Sequence, residues 1–464
     1  MKKNLFLVLT VVGICLSTIT ARASHMMGGQ ITLAPSTYGG LTYVLTYTAY
    51  RDTVGIPIAT TANITFTDSV SGVTFTRSFN YDSANVIMLV PGVEQYTYSD
   101  SVTFPNAGNW FISYEECCRN AAILNMTPGC HYFYANVMVD SVNASPEFLN
   151  PPIILAQEAV PFYYNPLPFD ANADSIAWLL DIPLDCNGVP SSNYVLPSSD
   201  SLVPFNMDPI TGEITFLPNL VGNFQVSVRV LEYRNGVLIG DISRDMQIIV
   251  VPSANTPSNL ILNANINPSG NKTYTVAPGS GLNMTLNLYD QDMQNTTINA
   301  SGEAFMLANN PAQFSVTNGV GSATLNFNWT PDASQARENP YFTTFRVSEV
   351  FGLYVFQSDV TISLRVGNFT TGLNSASAAN SLSVTPNPAR DFAMLQFEST
   401  STEKAVINIL SQDGKLVKTI DQSLNSAGLQ VVKISTSEFA KGLYIMSVVQ
   451  GGKSLGVTRL IIAE

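Results

Sequence analysis

Hard oxygen donors recur at alternate positions in two places of this sequence. Asp170, Asn172 and Asp174 precede one apolar run, and Asp290 with Asp292 follow another. Oxygen ligands spaced i, i+2, i+4 can converge on one cation, so both places are candidate calcium sites at a domain junction. The competing reading is a polar turn with solvated carboxylates, because no Gly and distal Glu follow at EF-hand positions. Sulfur is the second chemistry. Cys15 lies in an apolar N-terminal stretch, leaving Cys117, Cys118, Cys130 and Cys186, an even number that in an exported chain implies two disulfides. If Cys117 and Cys118 lie on a strand they point to opposite faces. One is then expected to reach Cys130 across a short loop and the other Cys186, and a vicinal bond is discounted because its ring is strained. A zinc site from the same thiolates is the rival, although their spacing resembles no finger or ribbon.

Catalytic constellations are poorer. The chain has two histidines, His25 and His131, so a His-rich metal site is excluded and a histidine-based dyad is hard to assemble. Gly452-Lys453-Ser454-Leu455-Gly456 fits the nucleophile-elbow pattern, but that elbow needs a strand-to-helix turn and a later histidine. No histidine follows, so the segment is expected to be a hairpin turn. Glu115 and Glu116 are neighbours on a strand pattern and face opposite ways, so they cannot flank one glycosidic bond.

The elements that must position these residues are strands. Leu41, Tyr43, Leu45, Tyr47 and Ala49 alternate with polar or β-branched residues, a period of two that marks a half-buried strand. The same period recurs at Phe224–Val230, Leu282–Leu288 and Ala323–Trp329. Gly39-Gly40, Asn235-Gly236 and Asp413-Gly414 supply turns between such runs. No stretch keeps a helical period for three turns. An all-β chain of tandem Ig-like sandwiches is expected.

Composition sets further bounds. The 464 residues exceed one ordinary core, and 12% charged residues is about half the usual share. A net charge of −13 argues against a nucleic-acid partner. Lys2 and Lys3, an apolar stretch to Ile19 and Ala21-Arg22-Ala23 form a secretory signal-peptide pattern over residues 1–23. Asn150-Pro151-Pro152, the segment from Val251 to Pro257, and the Gly-, Asn- and Ser-rich stretch 367–382 mark joints. The expected domains are therefore 24–150, 151–254, 255–366 and 383–464, with 367–382 as a flexible linker.

The two middle regions read as repeats. Ile214-Thr215-Phe216-Leu217-Pro218 parallels Phe327-Asn328-Trp329-Thr330-Pro331, and Val228-Arg229-Val230 parallels Phe345-Arg346-Val347. These regions resemble bacterial Ig-like and cadherin-like modules, although the full cadherin linker motifs are missing. The last 82 residues resemble the type A C-terminal sorting domain of proteins exported by the type IX secretion system. The residues behind this are Thr385-Pro386-Asn387-Pro388-Ala389-Arg390, Asp413-Gly414-Lys415 and Lys441-Gly442-Leu443-Tyr444, in the family's order and spacing. The resemblance implies a partner in the secretion machinery, removal of the domain after passage, and attachment to surface lipopolysaccharide. Charge divides in the same way: residues 383–464 carry 8 basic and 7 acidic side chains, while 24–382 carry 10 and 27.

Residues 24–250 resemble the N-terminal part of adhesin-like, gliding-associated surface proteins. The motifs are Ser24-His25-Met26-Met27-Gly28-Gly29, Tyr50-Arg51-Asp52, Glu116-Cys117-Cys118-Arg119-Asn120, Glu232-Tyr233-Arg234 and Ser243-Arg244-Asp245. That family often places cysteines in the first strand and after Tyr-Arg-Asp. Here Leu33-Ala34 and Thr53 stand there, so that bridge is expected to be absent. Seven Asp-Ser/Thr-aliphatic triplets, centred on Thr53, Ser69, Ser83, Ser101, Ser141, Ser175 and Ser201, resemble the periplasmic O-glycosylation acceptor of bacteria with this export route. The plainer reading is that Asp and Ser cluster at strand ends as turn formers. The sequence thus leads to a non-enzymatic, exported, adhesin-like surface protein that meets a glycan or protein of a host or neighbouring cell. A secreted hydrolase with appended modules and a structural surface-layer or filament subunit are the alternatives.

Overall fold

The structure, a computed structural model, describes residues 26–462 except 253, 267, 269–271, 338, 368–381, 386, 388, 391, 400, 412–414, 425 and 452. The signal-peptide segment and nearly all of the expected linker lie outside these residues. Two compact units are present, one running to Ile266 and from Pro278 to Val366, the other made of Asn267–Ala277 and Gly367–Glu464. Among the described residues the regular elements are strands and short 3-10 turns, which bears out the all-β reading.

The first region supplies eight strands: β1 (Met26–Pro35), β2 (Thr42–Asp52), β3 (Thr61–Asp68), β4 (Thr74–Asn80), β5 (Ile87–Val90), β6 (Val93–Thr103), β7 (Gly108–Cys117) and β8 (Cys130–Val139). Alternation does what the sequence predicts: Tyr43, Leu45, Tyr47 and Ala49 of β2 are buried, while Thr42, Val44 and Thr46 are half-buried on the other face. The expected break at residue 150 is not where the sheet ends. The 15-residue strand Val237–Val251 enters between β8 and β1, pairing Asp241 with Asn136, Ile242 with Ala135, Gly29 with Asp245 and Gln30 with Arg244. Along its other edge it pairs with Gly222–Arg234. Gly28 makes this junction sterically possible, since its φ is +147° and a Cβ there would collide with the Asp245 carbonyl. One apolar cluster consequently joins Ile31, Tyr47, Ile112 and Val137 to Ile214, Phe216, Val226 and Ile248. The prolines at 151–152 lie outside any strand, but pairing between segments a hundred residues apart carries the sheet past them.

The third region runs through Asn259–Ala264, Leu282–Tyr289, Ser322–Trp329, Gln313–Val320, Asn295–Gly302, Tyr341–Phe351 and Tyr354–Val366 in sheet order. Gln313–Val320 pairs mainly with Ser322–Trp329 but hands its end to Asn295 and Thr296, turning the corner between two faces. Phe327 and Phe345 meet edge-on across that sandwich, 6.2 Å apart. The repeat shows in the long hairpins. Arg229 bonds Asp241 in one and Arg346 bonds Asp359 in the other, each at 2.8 Å.

In the C-terminal unit Ser383–Thr385, Phe392–Ser399 and Gly428–Ser435 form one sheet. Leu416–Gln422, Ala405–Ser411, Gly442–Gln450 and Lys453–Ile462 form the second. Leu395, Phe397, Ile407, Ile409, Met446 and Leu460 fill a shared apolar core.

Candidate functional site

The C-terminal motif residues work as clamps within that sandwich. Asn387 accepts a hydrogen bond from the Ile461 N–H at 2.7 Å and donates its amide to the Arg459 carbonyl at 2.9 Å. The Ala389 N–H bonds the Ile461 carbonyl at 2.8 Å, so the opening motif is stitched to the last strand. The Lys415 carbonyl receives the Ser411 N–H at 2.9 Å and closes a hairpin. Gly442 sits at φ +147°, at the start of its strand, and Tyr444 donates to the Ala440 carbonyl while packing on Phe439. Pro386, Pro388 and Gly414 lie outside the described residues. Gly452 lies outside the described residues; Lys453 opens the last strand and pairs with Gln450, and Ser454 pairs with Val449, so the segment leads into a strand and not into the helix that an elbow needs.

The calcium candidates divide. Asp170 uses Oδ1 to hold its own turn, accepting from the N–H groups of Asn172 at 2.9 Å and Asp174 at 2.8 Å. Its Oδ2 is buried without a hydrogen bond. Asn172 turns away, accepting from the Ala144 N–H and donating to the Val142 carbonyl. The third member is one the spacing did not name. Glu232 places a carboxylate beside Asp170 and Asp174, with one oxygen of each of the three within 4.8 Å of the others. Burial pushes the Glu232 carboxyl up to about 8, helped by Asp170, and pushes Asp170 up to about 6 against its two backbone donors. Arg234 flanks the group, reaching Asp174, Asp140 and Asn143. Asp290 and Asp292 are engaged otherwise. Asp290 accepts from Ser258 Oγ and the Gln294 N–H, and Asp292 from the Thr256 N–H.

The cysteines pair differently from expectation. Cys130 is bonded to Cys186, and Cys117 to Cys118. Cys117 ends β7 opposite Cys130, so Cys118 lies beyond the strand and strand alternation does not govern it. Cys130 is drawn instead to the turn at Cys186, where Asp185 Oδ1 accepts from the N–H groups of Cys130 (2.6 Å) and Cys186 (2.7 Å).

Next to this bridge is a buried network built from three of the motifs. Arg119 donates to Asp245 Oδ2 and to the Leu184 carbonyl, both at 2.7 Å, and its Nε donates to the Cys130 carbonyl. His131 lies 3.1 Å from Arg119 through Nδ1 and 3.1 Å from the Met26 carbonyl through Nε2. A guanidinium only donates, so Nδ1 accepts, Nε2 carries the proton, and the ring is neutral. Burial and then Arg119 push its pKa down to about 4. Asp245 is held below the usual carboxylate range: burial opposes this, but the Arg119 guanidinium beside it outweighs it. A neutral imidazole locked between a guanidinium and a carbonyl braces three segments and has no free nitrogen for proton transfer. Glu115 and Glu116 take separate partners, the Asn187 N–H and the Tyr114 hydroxyl.

The seven triplets fall into two groups. At Asp52, Asp68, Asp82, Asp140 and Asp200 the carboxylate accepts the N–H two residues on, an Asx turn. These turns lift Ser69, Ser83, Ser141 and Ser201 into solvent, leave Thr53 half-buried, and expose Val54, Val70, Val142 and Leu202. Asp100-Ser101-Val102 instead runs within β6 with Val102 buried, and Ser175 begins a strand beside the Arg234-bound Asp174.

Residues 383–463 match the family model described as a secretion system C-terminal sorting domain. No curated protein sequence matches the chain. Among solved structures, Drosophila N-cadherin EC1-4 aligns at 11% identity over 88% of this chain and 94% of that one, with a TM-score of 0.18. A DUF4785 family protein from Legionella pneumophila aligns at 9% identity over 77% and 93%, with a TM-score of 0.23. The surface layer protein SbsC, domains 1-6, aligns at 11% identity over 96% of this chain and 67% of that one, with a TM-score of 0.14. At such scores these likenesses carry no functional argument. The tail does: residues 383–463 are a type IX C-terminal sorting domain, which directs the chain to the cell surface or extracellular space.

Proposed function

We propose that this protein is a non-enzymatic, adhesin-like surface component delivered by its own C-terminal sandwich. A signal peptide over residues 1–23 takes it to the periplasm. Residues 383–464 engage the type IX machinery, are removed, and leave the remainder attached to surface lipopolysaccharide. The observation that carries this is the match of residues 383–463 to a sorting domain. The regions 24–150, 151–254 and 255–366, the first two sharing a sheet and a core, form the delivered part, which recognises a host or neighbour-cell glycan or protein through loops at sandwich ends. O-glycans on the Asx-turn residues are part of this reading, supported by the exposure of Ser69, Ser83, Ser141 and Ser201. Fractionation of cells expressing the full chain and a chain lacking 383–464 tests the route. The full chain is expected outside and the truncated chain in the periplasm; equal export of both overturns it. Mass spectrometry of the exported protein tests the glycans, and unmodified Ser69, Ser141 and Ser201 remove them.

A further inference from the structure

The Glu232 carboxylate is fully buried, and neither of its oxygens accepts a hydrogen bond. A carboxylate in that state is costly unless a cation completes it. The surroundings are built to admit it. Glu232 continues the inward face of its strand after Phe224, Val226, Val228 and Val230, just before the register slips between Glu232 and Tyr233. Across from it stands Gly240, where a Cβ would lie 2.8 Å from Glu232 Oε2 and 2.7 Å from the Asn136 carbonyl, so any larger residue would crowd the carboxylate out. Asp170, whose Oδ2 is likewise buried without a hydrogen bond, and Asp174 each place a carboxylate oxygen in the same group.

We propose that Asp170, Asp174 and Glu232 bind one calcium ion that braces the Asp170–Asp174 turn to the bulge at Glu232. The donor set selects the metal: three carboxylates brought together from a turn and a strand form an all-oxygen site that suits the flexible geometry of calcium, whereas magnesium demands a strict octahedron and keeps several waters. Arg234 stays on the outer side, tying Asp174 to Asp140 and Asn143 in the segment after β8. The ion thus completes a brace between the first sheet and the segment that follows it. Asn172 is no ligand, because both its side-chain atoms are committed elsewhere.

The test uses the full chain after chelation, titrated calorimetrically with CaCl2 and with MgCl2, alongside thermal melts. One calcium per chain is expected, with a rise of a few degrees in the melting of the N-terminal unit and a weaker response to magnesium. E232Q keeps the shape and is expected to weaken calcium binding at least tenfold, with D170N as a second variant should E232Q not fold. D290N is expected to bind like the wild type. An absent calcium heat in the wild type overturns the proposal, as does undiminished binding in E232Q or D170N.

Discussion

Arg119 and Asp245 form an ion pair whose side chains are 0% and 4% exposed, whereas Lys418 and Glu438 pair with 35% and 56% exposed. The N-terminal unit has exposed pairs too, such as Arg77–Asp100, but among the described residues the buried ones are confined to it. In the N-terminal unit Arg119, Asp170, Glu232, Asp241, Arg244, Asp245 and Asp359 are all buried. Among the described residues of the sorting domain the buried polar side chains are Ser399, Thr436 and Gln450, none of them charged. Buried charges tolerate little error in register, because a lost partner leaves an ion without water or counter-charge. In the N-terminal unit they fix which distant segments pair: Arg119 joins Asp245 across 126 positions, and Arg244 donates to Tyr164 and the Asn150 carbonyl. The sorting domain relies on an apolar core and on strand pairings made within residues 383–462.

The largest effect is expected from R119A, which strands Asp245 and should destabilise the N-terminal unit by about 3–5 kcal/mol. Urea denaturation should show that unit's transition moving while the sorting domain's stays in place. A shift in both would erase the distinction between them. L395A removes a fully buried side chain from the other core and should cost the sorting domain about 2–5 kcal/mol. There the positions reverse: the second transition moves and the first does not.

Acid should separate the two units as well. The neutral His131 has a pKa of about 4 in the fold, below the ordinary 6.5. The unfolded chain therefore binds a proton that the folded chain does not, as pH falls from about 6.5 to 4. Stability is lost across that window, by roughly 3 kcal/mol in full. The depressed Asp245 adds loss of the same sign at lower pH. The groups facing His131 are Arg119, Asp245 and the Met26 carbonyl. Denaturation as a function of pH should show this loss in the N-terminal unit, and H131Q should flatten it. The smallest effect belongs to K418A. Its exposed pair is worth under about 1 kcal/mol, and its contribution should fade in high salt.

Much of the fold was legible because it is local. Alternation along Tyr43–Ala49 reports one strand and one face, and the blocks at Asn387, Lys415 and Tyr444 lie within one small domain. What escaped depends on distant pairing. Nothing near Val237–Val251 says that it will insert between β1 and β8, so the joint at residue 150 looked like a boundary. Cys118 was read as a strand residue because the end of β7 at Cys117 is not marked in the sequence. Asp170 and Asp174 were found by spacing, but Glu232 was not. Alternation after Val226, Val228 and Val230 puts Glu232 on the inward face, but nothing in the sequence near it says that the Asp170–Asp174 turn, sixty residues away, will meet it there.

The claim that the sorting domain is a self-sufficient export element is tested most directly by transplanting it. Residues 383–464 are placed behind a signal peptide and a periplasmic reporter in a cell with a type IX system, and reporter activity is measured in the periplasm, on the surface and in the medium. The account predicts reporter on the surface or in the medium, and its return to the periplasm when L395A unfolds the sandwich. A reporter that stays in the periplasm behind the intact domain would contradict it.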